Sequence, residues 1–226
     1  MKSQPNSKHQ HDALSVALPE FTLSHSTSKV IYKRCQTALV VMAIGIIVNL
    51  AIRIDFVLLN GSIGETSVTE MLQQFLLLVS SASFAYLAKE KSEIRHAAIL
   101  ISAFFAVMFV RELDYWFDQI VHGAWVYPAV AIAGSAIFYA CKNGKRTLDQ
   151  LALILASPHM NLLVTGVMLL LVFSRLFGMG SFWQGVMDEH YIRNVKNIAE
   201  EGTELLSYSL IAFAAIKTML GLTKKR

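Results

Sequence analysis

The charges of this chain are gathered into short clusters separated by long apolar runs. A lipid-facing segment needs roughly 20 mostly apolar residues to cross about 30 Å of hydrocarbon. Its backbone polar groups must be satisfied within the segment, so each run is read as a helix. Only 16% of the residues are charged and 54% are hydrophobic; soluble domains carry about 25% charged and about 45–50% apolar residues. The alternating pattern of a membrane barrel is missing from the sequence. The expectation is an all-α fold, a polytopic membrane helix bundle.

Six runs are long enough to count: Ala38–Leu59, Val68–Ala88, Ile94–Phe117, Ala124–Ala140, Met160–Phe177 and Glu204–Leu222. They predict six transmembrane helices over residues 31–226, preceded by a flexible cytoplasmic tail over residues 1–30. That tail is polar, holds Pro5, His9, His11 and Pro19, and lacks the apolar centre of a secretory signal. A short surface-lying piece is expected around Ala13–Leu23.

Orientation follows from Lys and Arg. Fifteen of the twenty basic residues fall on one side: the tail and start of span one, the loops with Lys89, Lys91 and Arg95 and with Lys142, Lys145 and Arg146, and the C-terminal end. Arg53, Arg111, Arg175, Arg193 and Lys196 fall on the other. The alternation agrees at every loop, so both termini are expected in the cytoplasm (N-in/C-in) and the protein in the cytoplasmic, or inner, membrane. A net charge of +4 does not imply nucleic acid, because the basic residues sit at span ends. Cys35 and Cys141 fall at cytoplasmic span ends, where no disulfide is expected.

Local signals mark several boundaries. Ser67-Val-Thr-Glu70 reads as a capping box opening span two. Ser157-Pro158 reads as an N-cap with Pro in the first helical position of span five. Leu148, Leu151, Ala152 and Leu155 predict a short amphipathic helix on the cytoplasmic surface.

Eleven of the sixteen acidic residues lie on the outer side: Asp55, Glu65, Glu70, Glu112, Asp114, Asp118, Asp188, Glu189, Glu200, Glu201 and Glu204. Length puts some of them inside the bilayer. The charge-free stretch Ala97–Val110 covers only about 21 Å at 1.5 Å per residue, so span three carries Arg111, Glu112 and Asp114 into the outer third. Span one is equally short before Arg53 and Asp55. Such charges cost about 2.5–3.5 kcal/mol each at a helix centre and less near the edge. They persist when paired or when lining a wet cavity. Helical spacing aligns Arg111, Asp114/Tyr115, Asp118 and His122 on one stripe, and Asn197, Glu201, Glu204 and Tyr208 on another. Glu70, Gln73 and Gln74 are near neighbours on span two.

Three chemistries fit this cluster. Structural ion pairing would use Arg53, Asp55, Glu70 and Arg111 to neutralise one another and their neighbours. Acid–base catalysis would use Glu112, Asp114, Glu201 and Glu204, since clustered carboxylates in low dielectric shift one another's pKa. A divalent metal such as Zn, Mn or Fe would use the i,i+4 pair Asp118 and His122 with Glu200 and His190, although no HExxH motif and no pair of ExxH motifs is present.

The functional expectation comes in order. First is a non-catalytic membrane protein whose outer cluster holds the fold or binds a ligand, ion or partner. Second is a membrane hydrolase or transferase acting on a lipid-like substrate at the outer leaflet. Transport is third, because the cytoplasmic halves of spans two to four are nearly bare of polar groups apart from serines. The bilayer is the expected partner, with a lipid-like or small ligand arriving from the outer side.

Overall fold

A computed structural model describes residues 25–58 and 67–224. Most of the expected tail with its surface piece over 13–23, together with Glu65, Lys225 and Arg226, lies outside the described residues. Every element among the described residues is helical. Five helices are long and apolar enough to cross a membrane: Thr27–Leu58, Val68–Glu90, Ser92–Glu112, Met160–Gly178 and Arg193–Thr223. The remaining expected span is the shorter apolar helix Val126–Cys141, of 16 residues, which covers about 24 Å at 1.5 Å per residue.

The chain divides between Val40 and Val41. Helix α1 (His25–Arg53) starts in the first unit, where the Thr37 hydroxyl donates to Lys33 O at 3.0 Å. The other helices belong to the second unit: α2 (Val68–Glu90), α3 (Arg95–Glu112), α4 (Asp114–Asp118), α5 (Val126–Cys141), α6 (Gly144–Leu155), α7 (Met160–Met168), α8 (Arg175–Gly178), α9 (Gly180–Met187) and α10 (Arg193–Thr223). A wider π-wound turn, Leu169–Ser174, joins α7 to α8, and another, Ile54–Leu58, ends α1.

Within the second unit, α3 packs on α2 and α5, α2 packs on α10, and α10 packs on α7 and the π turn after it. Small residues permit the close approaches. Ala97, Ala98, Ala214 and Ala215 are fully buried beside Phe84, Phe105 and Ile211. A Cβ on Gly166 would lie 2.8 Å from Ile211 Cγ1 and 3.2 Å from Ser207 O, so only glycine fits between α7 and α10 there. Ser81 and Ser102 exchange hydroxyl-to-carbonyl bonds of 2.9 and 2.8 Å between α2 and α3. Ser80 and Ser83 return their protons to their own helix. The serines of this half therefore act in packing and cross-linking.

Local chemistry explains the ends. Ser67 caps α2, its hydroxyl accepting from Glu70 N at 3.2 Å. Asp55 adds a second cap from outside the helix: it is 2% exposed and accepts from Val68 N, Thr69 N and the Thr69 hydroxyl at 2.9, 2.9 and 2.6 Å. A carboxylate at a helix N-terminus satisfies free N–H groups and meets the positive end of the dipole. At the opposite end of the bundle, Gln150 Oε1 accepts from His96 N and Ala97 N, so α6 caps α3. Helix α6 is amphipathic as expected. Thr147, Gln150 and Ile154 face the protein, while Leu148, Ala152 and Leu155 form an exposed apolar stripe.

Two expected boundary signals fail. Helix α7 begins at Met160, the expected start of its run, but its N-cap is His159 and not Ser157. Ser157 is drawn across to α10, its hydroxyl 3.3 Å from that of Thr218, and Pro158 occupies the turn. Span three also does not run on to Phe117. It stops at Glu112, where Leu113 N donates to Val110 O in a tight turn, and α4 starts afresh at Asp114.

Candidate functional site

The polar residues of α10 that matter follow helical spacing. Glu201, Glu204 and Tyr208 are three and four residues apart, so they share one face; α10 packs on α2 and the π turn, and Tyr208 reaches Glu112 at the end of α3. From α2, the Gln73 amide donates to Glu201 O at 3.2 Å and to Glu201 Oε2 at 2.9 Å. The neighbouring Gln74 amide donates to Glu112 O at 3.2 Å, occupying a carbonyl that the end of α3 leaves free. From α3, Arg111 Nη2 lies 2.5 Å from Glu112 Oε1, and the Tyr208 hydroxyl donates to the same oxygen at 2.8 Å. From the π turn, Ser174 Oγ lies 2.7 Å from Leu170 O and 2.9 Å from Glu204 Oε1, with one proton to share between them.

These bonds tie four spans together at one end of the bundle. Glu112 and Glu204 each stand within electrostatic reach of Arg111, of Glu201 and of one another. Among the described residues no buried side-chain nitrogen or oxygen lacks a partner. A fully satisfied polar network in a low-dielectric setting specifies a unique packing, because losing one member strands the others.

Beside the network lies a cavity of about 250 Å³ lined by Phe104, Met108, Arg111, Leu170, Leu171, Ser174, Arg175 and Glu204. Its polar groups come from α3, the π turn, α8 and α10, and the rest of its lining is apolar. Glu204 is 8% exposed. Arg175 is exposed and has no carboxylate partner among the described residues. The π turn matters here, because it sets the direction in which Ser174 and Arg175 leave their helix. Such turns recur at functional sites.

The candidate residues divide into groups. Glu112, Glu201, Glu204 and Arg111 converge in the network. Asp114 does not join them; it is exposed beyond the break at Leu113, and its carboxylate accepts from Tyr115 N at 2.7 Å. Arg53 is exposed, and Asp55 serves the start of α2. Glu70 closes the first turn of that helix, where its N–H meets Ser67. Asp118 and His122 do meet, at 2.9 Å, in an exposed turn where Gly123 N also donates to Asp118 at 2.7 Å. Glu200 pairs with Lys196 at 2.6 Å, and His190 is exposed in a short 3-10 turn. Among the described residues no three His, Cys, Asp or Glu side chains converge as a metal site would require. Cys35 and Cys141 are free and exposed.

Sequence reasoning missed Ser174 as a site residue and gave Arg175 only a place on the outer side. A serine directly before an arginine at the end of an apolar span was the available signal. The π turn that turns both toward Glu204 has no sequence signature. No protein-family model matches this chain, and comparisons with curated proteins and solved structures find no match either.

Proposed function

We propose that this chain is a six-span protein of the cytoplasmic membrane, both termini inside, that binds a small amphipathic ligand on its outer side. The Lys and Arg distribution supports the orientation, and helix α5 supplies the short sixth span. In this reading the Glu112–Tyr208–Arg111 and Gln73–Glu201 bonds form the frame, and the cavity beside Glu204 is the site. One observation carries it: Arg111, Arg175, Ser174 and Glu204 edge a cavity whose remaining lining is apolar. Binding pockets characteristically combine apolar walls with a few converging polar groups.

Native mass spectrometry of the protein released from membranes in mild detergent tests this. Leu171 lines the cavity and is half exposed, so Leu171→Trp fills the site without disturbing the core. A copurifying adduct should appear on the wild type and be absent from Leu171→Trp at an unchanged melting temperature. An adduct equally present on both, or none on either, overturns the reading.

The second reading is a hydrolase or transferase working on a lipid-like substrate. It draws on Glu204, the one candidate carboxylate that lines the cavity. Under it, a bound lipid should accumulate on Glu204→Gln as unreacted substrate.

A further inference from the structure

A second cavity lies beside the one at Glu204, against the same α3 side chain, Phe104. Helices α3 and α7 are not close-packed neighbours; each leans on a different helix, α2 or α10. Between them lies a wholly apolar cavity of about 250 Å³ that shares Phe104 with the polar one. On the α3 wall, Leu100, Phe104, Met108 and Arg111 recur every three or four residues, and so mark one face. On the opposite wall, Val164 and Met168 of α7 line the apolar cavity, and Leu171 and Arg175, in and just after the π turn, line the polar one. Both faces are apolar along their length and end in an arginine at the same end. From Leu100 to Arg111 the wall measures about 16 Å at 1.5 Å per residue. One leaflet of a bilayer with about 30 Å of hydrocarbon is about 15 Å deep. Joined, the two cavities reach the size range of small-molecule sites, about 300–1,000 Å³.

Resting on the binding reading above, we infer that the ligand is an anionic phospholipid with a hydroxylated headgroup, one acyl chain lying in the α3–α7 groove. The phosphodiester sits between Arg111 and Arg175. Guanidinium forks match phosphate oxygens, and Arg175 has no carboxylate among the described residues to compete for it. Glu204 and Ser174 then take the headgroup. A carboxylate beside the phosphate disfavours a second anion and accepts from hydroxyl donors, which a glycerol headgroup supplies and a choline headgroup lacks. The apolar stretch from Phe104 to Leu100 excludes a purely polar ligand, since it offers no hydrogen-bond partner.

The test is native mass spectrometry of the full chain from nanodiscs holding equal amounts of phosphatidylglycerol and phosphatidylcholine with identical acyl chains. Wild type should retain phosphatidylglycerol over phosphatidylcholine by about tenfold, the value of one charge-assisted contact. Glu204→Gln should erase that preference, because Glu204 takes the headgroup, whereas Arg175→Gln should lower retention of both lipids, because they share the phosphodiester. Val164→Trp, at an exposed position on the apolar wall, should lower retention of both lipids with the melting temperature unchanged. Equal retention of the two lipids by the wild type, a preference that survives Glu204→Gln, or retention unchanged in Arg175→Gln overturns the inference. A copurifying adduct that is lost in Leu171→Trp but is no phospholipid removes this inference and leaves the binding reading standing.

Discussion

The Tyr208 hydroxyl donates to Glu112 Oε1 at 2.8 Å, joining the middle of α10 to the last turn of α3. The Tyr208 ring is fully buried, and the same oxygen receives Arg111. Tyr208→Phe keeps the ring and removes only this bond. The expected cost is about 1–2 kcal/mol, the upper part of the range for interhelical bonds in membranes. Arg111→Gln should cost more, because it removes the charge that balances Glu112. Thermal unfolding in one detergent, read by near-UV circular dichroism, checks the ranking. A Phe variant as stable as wild type would show that the bond adds nothing.

Two glycines lie against α10 and should differ sharply. At Gly166 a new methyl meets Ile211 and the Ser207 carbonyl, neither of which can move without shifting a helix. Gly166→Ala is expected to destabilise by about 1–3 kcal/mol, as overpacked cores do. At Gly178 the methyl would overlap the end of the Glu200 side chain. That carboxylate can swing away, at the expense of its bond to Lys196. Gly178→Ala should therefore cost well under half as much, and a double-variant cycle with Lys196→Ala should show the two changes coupled. Equal costs for the two alanines would contradict this account.

The large features were legible because they rest on composition. Long apolar runs and charge clusters mark helices wherever they fall, and the observed spans agree with the expected ones to within a few residues at Val68 and Met160. Arg111 and Glu112, which follow the short charge-free stretch Ala97–Val110, form the end of helix α3. What failed was continuity. The stripe from Arg111 through Asp118 assumed one helix, but the turn at Leu113 sends Asp114 outward. Asp55 was read through charge pairing, yet its partners are backbone N–H groups of α2, and a sequence does not reveal which distant helix start a carboxylate will reach. The network itself depends on pairs such as Gln73 with Glu201, 128 residues apart, and no local pattern encodes that separation.

The turn at Asp118 gives a pH prediction outside the spans. Its carboxylate is held below the ordinary value of 3.8, first by the Gly123 N–H and then by His122. His122 is almost wholly exposed, so solvent weakens its share. A depressed folded-state pKa means that the contribution is fully present above 3.8 and disappears as pH falls through the folded value. The turn should stay unchanged from neutral pH down to about 4, and the Gly123 amide shift in NMR should titrate with a midpoint under 3.8. A midpoint at or above that value would count against the bond. Asp118→Asn should abolish the titration.

The two cysteines test the proposed topology. Cys35 lies near the start of α1 and Cys141 ends α5; both are free and exposed. If α5 crosses the membrane despite its 16 residues, the two thiols share the cytoplasmic side. If α5 instead turns back, they fall on opposite sides. Single-cysteine variants, Cys35→Ser and Cys141→Ser, should react with a membrane-impermeant maleimide in inverted vesicles and stay unlabelled in intact spheroplasts. Labelling of the Cys141 thiol from outside would remove the sixth span, because α6 and its exposed apolar stripe Leu148, Ala152 and Leu155 would then lie on the outer surface. Labelling of both thiols from outside would keep six spans and invert the bundle, which would move the Glu204 cavity and its arginines to the cytoplasmic leaflet.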